Sequence, residues 1–239
     1  MAFSGWPAEA VEFYRGLSAD NTKAYWTAHK QVYDAQVHAP MAELLAELER
    51  EFGPGRIARP YRDVRFRADK SPYKTAIYAT LEAGGYVKFS ADGLTAALGY
   101  YMMDAGQLDH YRRAVADEAS GTSLAGIIAR LAAGKIQVGG TQDLKSAPRG
   151  YPRDHPRIDL LRHKGLIAWR DWPVAAWLGT AAARRRVADF LHAAAPLQDW
   201  LDEQVGPGTP APATAPAAVP ARLGGEGSDT RRWTRSRRS

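Results

Sequence analysis

The run Thr75-Ala76-Ile77-Tyr78-Ala79-Thr80-Leu81-Glu82-Ala83-Gly84-Gly85-Tyr86-Val87-Lys88-Phe89-Ser90 decides the fold class. Thr75 to Glu82 and Tyr86 to Ser90 read as two strands joined through Gly84-Gly85, because glycine accepts the backbone angles of a tight hairpin turn. Leu94 to Met103 reads as a further strand. Upstream, Tyr61 to Arg67 also changes with a period of two: Arg62, Val64 and Phe66 fall on one face, Asp63, Arg65 and Arg67 on the other. Short strands in succession with little helix between them predict an antiparallel sheet.

Helices flank that block on both sides. Pro7 suits a helix start, and Ala10, Val11, Phe13, Tyr14 and Leu17 follow at helical spacing. Asp20 or Asn21 can cap a second helix that carries Tyr25, Trp26, His29, Val32, Tyr33 and Val37. Pro40 is expected to break it. A third helix then places Met41, Leu44, Leu45, Leu48 and Phe52 on one stripe, ended by Gly53-Pro54-Gly55. Downstream, helices are predicted around Leu108-Tyr111-Val115, from Leu124 to Gly134, and from Pro156 to Lys164. A strand over Leu166 to Trp169 and a helical region from Ala181 to Val205 follow, the latter bent or split at Pro196. The expectation is one α+β domain over residues 1–205, with an antiparallel sheet packed against several helices.

From Gly206 to Ala221 the chain turns to Pro, Ala, Gly and Thr without apolar periodicity, and beyond it lies an Arg-rich end around Trp233. Residues 206–239 therefore read as a disordered linker and tail. The formal net charge of +6 is unevenly spread. Arg222 to Ser239 holds six Arg against Glu226 and Asp229, a net +4, which leaves the rest at only +2. Attraction of a whole basic surface to nucleic acid is not indicated for the domain. The chain has no cysteine, which excludes disulfides, thiolate catalysis and Cys-ligated zinc. Its N-terminus lacks the pattern of a signal peptide, and its longest uncharged stretch is too rich in Pro and Gly to span a membrane. The expected compartment is the cytoplasm.

The stretch Tyr61-Arg62-Asp63-Val64-Arg65-Phe66-Arg67-Ala68-Asp69-Lys70-Ser71-Pro72-Tyr73-Lys74 resembles a known family, the domain-of-unknown-function 2461 family. Three further stretches are similar to it, in order. Phe3 to Pro7, with Phe13 to Leu17 and Asn21-Thr22-Lys23, looks like its N-terminal helix pair. Gly99 to Met102, with Leu108 and Tyr111-Arg112, looks like its central strand and helix. Leu144-Lys145, Pro148, Gly150, Asp154-His155-Pro156 and Leu160 to Lys164 look like its C-terminal part. The resemblance covers roughly residues 1–205 and implies a fold class; it brings no activity, cofactor or catalytic residue with it. Ala96-Ala97-Leu98-Gly99 departs from a more glycine-rich run, and Arg67 from a small polar residue.

The charged segment is the most informative for function. Guanidinium forks donate paired hydrogen bonds to carboxylate or phosphate oxygens. Arg62, Arg65, Arg67, Lys70 and Lys74, joined by Lys145, are the candidate ligands of an anion. The alternative for the same residues is a solvated face laced by local Asp–Arg pairs. Asp154-His155 offers an oriented imidazole for acid–base work, with Asp63 as a further carboxylate; a helix cap opened by Pro156 explains the same pair. Ser71-Pro72-Tyr73-Lys74 matches Ser-x-x-Lys but lacks its partner motifs and reads as a turn. The six histidines are dispersed, and no nucleotide-binding glycine loop occurs, so neither a metal nor a cofactor is expected. Three readings stand: a module binding a phosphate-bearing or other anionic ligand, nucleic acid included; a metal-independent hydrolase using Asp63, Asp154 or His155; and a protein-interaction scaffold.

Overall fold

The computed structural model describes residues 2–63, 65 and 69–206. Its centre is an antiparallel six-stranded sheet in the order β1-β2-β3-β4-β6-β5. The strands are β1 (Gly55–Ile57), β2 (Ala76–Leu81), β3 (Gly85–Ser90), β4 (Gly93–Tyr100), β5 (Gln137–Gly139) and β6 (Leu166–Pro173). The hairpins predicted around Gly84-Gly85 and before Leu94 are present, and β6 returns beside β4 from 66 residues further along the chain. Gly84 turns the first hairpin with φ at +87°, a conformation costly for any side chain.

One face of the sheet is covered by helices. These are α1 (Ala8–Ala19), α2 (Lys23–Val32), α3 (Ala39–Phe52), α4 (Ala105–Ala116), α5 (Glu118–Ala133), the single turn α6 (Ile158–Leu161) and α7 (Ala182–Gln204). Ile77, Ala79 and Leu81 of β2, Val87 and Phe89 of β3, and Leu94, Ala96 and Leu98 of β4 point into the main core. Trp6 stacks on Phe89 at 4.8 Å there, and its indole N–H donates to the Val37 carbonyl. Alternation puts the intervening side chains on the second face: Tyr78, Tyr86, Lys88, Thr95, Ala97, Ile167, Trp169 and Asp171. Tyr86, Ala97, Ile167 and Trp169 form a separate small cluster with Tyr78 against it.

Several expectations are corrected. Tyr61 to Arg67 is not a strand among its described residues: Tyr61 makes an isolated bridge to Tyr73, and Arg65 sits in a turn. The cause is local competition for backbone donors. The Asp63 carboxylate takes the Arg65 N–H at 3.2 Å, and Asp69 takes the Ser71 N–H at 2.9 Å, which bends the chain where a ladder would extend it. Pro40 does not break the helix. The turn Tyr33–His38 widens to a π-helix, and Pro40 enters in the first turn of α3, where its missing N–H is tolerated. Pro196 does not split α7, because buried Leu191, Ala194, Leu197, Trp200 and Leu201 anchor it on both sides of the proline. The helix predicted from Pro156 to Lys164 shrinks to the one turn of α6. The three-residue strands β1 and β5 were not anticipated. The Pro/Ala-rich linker and Arg-rich tail lie outside the described residues beyond Gly206. No described helix is long and apolar enough to cross a membrane.

Candidate functional site

The charged segment is carried by the connection between β1 and β2. Its base is fixed by backbone bonds from Arg62 N–H to the Pro72 carbonyl (2.9 Å) and from Lys74 N–H to the Pro60 carbonyl (2.8 Å). Asn21, at the corner between α1 and α2, closes the grip. Its carboxamide donates to the Tyr73 carbonyl and accepts the Tyr73 N–H, both at 3.0 Å. Trp26 stacks flat on the Tyr73 ring at 4.4 Å, and Tyr61 packs against both. The sequence offered Asp20 or Asn21 as the cap of the second helix; Thr22 caps α2 instead, leaving Asn21 for this tertiary role.

On that frame the charges sort into two kinds. Arg65 grips Asp63 with both ends of its guanidinium, at 3.0 and 2.7 Å, and those hydrogen bonds hold the Asp63 carboxyl down at about 2. Arg62 pairs with Asp69 at 2.5 Å. These arginines are engaged with local carboxylates. Lys74 differs. It is half-buried, its ammonium lies 5.7 Å from the centre of the Tyr78 ring, and among the described residues no carboxylate forms an ion pair with it. Burial first, then the nearby Arg59 and Arg62 charges, lowers its affinity for a proton. Lys70 is exposed in the outer part of the loop, and Arg67 lies outside the described residues.

Lys145, Asp154 and His155 are not brought to this place. Strand register puts the start of β2 (Ala76) level with Ser90, Gly93 and Pro173, at one end of the sheet. The segment carrying the other three residues runs from β5 into the start of β6, level with Tyr100 at the opposite end. An eight-residue strand separates those ends by roughly 25 Å. His155 accepts the Arg157 N–H on its Nδ1 at 3.0 Å, a local turn bond of the kind a helix start uses. Asp154 and Lys145 are exposed, and the Lys145 carbonyl accepts from Arg162. The close Asp–His contact of this end is a different one: Asp143 Oδ1 to His163 Nδ1 at 2.6 Å, between residues 20 apart in sequence. Among the described residues no group of three or more His, Asp or Glu could hold a metal ion.

What lies beside Lys74 is the second face of the sheet. Tyr78 faces Lys88 across the β2–β3 ladder, and its ring packs on Tyr86 at 5.9 Å. Tyr86 pairs across with Ala97, and Ala97 with Trp169. Both large side chains are 93% buried, and neither the Tyr86 hydroxyl nor the Trp169 indole N–H has a hydrogen-bond partner among the described residues. Burial, followed by the neighbouring Tyr78 and Tyr101, drives the Tyr86 hydroxyl far above the usual phenol range, so it stays a neutral donor. The sequence matches the conserved hypothetical protein family DUF2461 over residues 9–200. The chain belongs to that family.

Among solved structures, this DUF2461 chain is similar to a conserved hypothetical protein from Pyrococcus furiosus at 12% identity and a TM-score of 0.37, covering 73% of this chain and 98% of that one. No curated protein matches it. Of the residues that meet at this candidate site, Arg62 and Lys74 were singled out from the sequence, by their charge. Sequence reading missed Arg59, two residues before the segment's start at Tyr61. It also missed Tyr78, Tyr86 and Trp169, which strand register gathers from β2, β3 and β6. The signal for Tyr78 and Tyr86 was present: large aromatics on the face opposite Ile77, Ala79 and Val87 of a sheet with one helical layer.

Proposed function

We propose that this protein is a cytoplasmic binding module for a small anionic ligand, held where the β1–β2 connection meets the second face of the sheet. The observation that carries this reading is the half-buried Lys74 ammonium, set beside Arg59 and Arg62 without a carboxylate of its own. Partial desolvation of the Lys74 ammonium, with the Arg59 and Arg62 charges nearby, raises the free energy of its charged form in the ligand-free protein. An anion placed among them relieves both costs. Lysine and arginine supply only donors. The set suits a carboxylate or phosphate group and offers little to a cation. The enzymatic alternative draws no support from the placement of its residues, since Asp63 and the Asp154–His155 pair lie toward opposite ends of the sheet.

Calorimetric titration of the full chain with acetate and with inorganic phosphate tests the proposal. One of them should bind, and Lys74→Met should weaken that binding at least tenfold while circular dichroism stays unchanged. Binding of equal strength in Lys74→Met, or no binding of either anion by the unaltered chain, rejects it. Titration with labelled single- and double-stranded nucleic acid over a salt series separates a polyanion from a small ligand.

A further inference from the structure

Where the described residues end, the backbone is held by three side chains. The Gly206 carbonyl accepts from the Tyr100 hydroxyl and from the Gln107 carboxamide, both at 3.1 Å, and His110 Nδ1 lies 3.2 Å from the Val205 carbonyl. This fixed exit stands at the β2–β3 hairpin end of the sheet, since Gly85 pairs with Leu98, close before Tyr100. Asp202 ties exit and hairpin together. It accepts from Tyr100 at 2.8 Å and from Gln198 at 2.9 Å, and the Gln198 side chain covers the hairpin residue Gly84 so closely that a Cβ there would stand 3.0 Å from its oxygen. At the same end the sheet opens into a cleft of about 200 Å³ with walls chiefly of carbon. Gly84, Gly85, Ala97 and Gly99 contribute backbone and one methyl group to its lining, and Tyr86 and Tyr101 contribute aromatic rings.

We propose that this cleft is the docking site of the chain's own proline-rich segment, residues 207–219, laid into it as a polyproline II helix. The exit places the segment's first residues beside the cleft. Its sequence carries the matching period. A polyproline II helix turns once every three residues, and Pro207, Pro210, Ala213, Pro216 and Val219 stand three apart. One edge of the helix is then apolar throughout. The segment contains no Asp, Glu, Lys or Arg, so no charge has to be stripped of water in a carbon-walled cleft. Such helices are recognised by aromatic-lined grooves, and their preformed backbone loses little entropy on docking. Glycines in the lining let prolyl rings approach the sheet closely. Length is sufficient as well: at about 3.1 Å per residue the segment spans about 40 Å, whereas six strands about 4.8 Å apart make a sheet about 24 Å wide. Tethering sets an effective concentration on the order of millimolar, so a weak contact is enough to keep the segment in place. The proposal goes beyond the anion reading and does not depend on it, because Lys74 stands at the other end of β2.

The test is nuclear magnetic resonance on the full chain labelled with carbon-13, beside a free synthetic peptide of residues 207–219. Nuclear Overhauser effects are expected from the ring protons of Pro207, Pro210 or Pro216 to the ring protons of Tyr86 or Tyr101, and they should persist over a tenfold dilution. The prolyl resonances should differ from those of the peptide, and Tyr101→Ala should return them toward the peptide values. Prolyl resonances of the unaltered chain that coincide with those of the peptide, with no contact to either tyrosine, overturn the proposal. Contacts that fade on dilution, or that join labelled to unlabelled copies in a mixed sample, belong to neighbouring molecules and overturn it too. So do prolyl contacts to a different surface of the domain. The comparison of unaltered chain with peptide needs no variant, so it decides the matter even if Tyr101→Ala fails to fold.

Discussion

Asp63 and Lys74 show how differently two charges in one segment can stand. The Asp63 carboxylate is fully matched by Arg65 and exposed to water, so the pair organises the loop more than it stabilises the fold. Its acidity gives a direct check. Hydrogen bonds from Arg65 lower the folded-state value to about 2, below the ordinary carboxylate value. A depressed carboxyl contributes stability that is present above its unfolded value and is lost as pH falls through the folded one. The carboxyl resonance of Asp63 should therefore titrate near pH 2, and in Arg65→Ala it should return toward the ordinary range. A midpoint near 4 in the unaltered protein would show that the pair does not form in solution. Lys74 is shifted in the opposite sense for binding: its charged form is the disfavoured one. An anion bound there favours the charged form, so affinity should fade as alkaline pH removes the proton. Lysine and arginine were legible as charges in the sequence. Which of them would be matched was not, because that depends on carboxylates that turn geometry brings near.

At the scale of the element, legibility follows length and period. β2, β3 and β4 announce themselves through alternation and the Gly84-Gly85 turn. β1 and β5 have three residues each, too few for any period to show, and exist because β2 and β6 offer them an edge. Tyr61 to Arg67 misled because alternating charge imitates a strand, while Asp63 and Asp69 were positioned to bond their own backbone two residues on. Pro196 misled in the other direction. It is exposed in the interior of α7, where it removes one backbone donor and crowds the preceding turn, yet the helix continues because its buried face is packed on either side. Replacing it isolates that cost. Pro196→Ala should raise the unfolding free energy by about 1–3 kcal/mol in urea titration. It should leave binding at Lys74 unchanged, since α7 packs on the other face of the sheet. A loss of stability would mean that the proline ring makes contacts worth more than the restored helical bond.

For the whole molecule, the controlling feature is a sheet with helices on one side and an aromatic cluster on the other. Only the pairing of β4 with β6 completes that surface, since it carries Trp169 and Ile167 to Ala97 and Gly99. A contact between strands so far apart in the chain leaves no local trace in the sequence, which is why the fold class was readable and the site was not. The charge distribution belongs to the same scale. The residues before Arg222 are nearly balanced, whereas the last 18 carry six Arg against two acids. Polyanion attraction and small-anion binding should therefore be separable. Each phosphate neutralised makes the logarithm of affinity fall with the logarithm of salt by about 0.9 for duplex DNA. The full chain should bind labelled duplex weakly, with affinity dropping steeply between about 50 and 200 mM salt. A chain ending at Gly206 should lose that binding and keep its affinity for small anions at Lys74. Fluorescence anisotropy for the duplex and calorimetry for the small anion read the two halves independently. Salt-sensitive duplex binding that survives the truncation would move the nucleic-acid contact onto Arg59, Arg62 and Lys74 themselves.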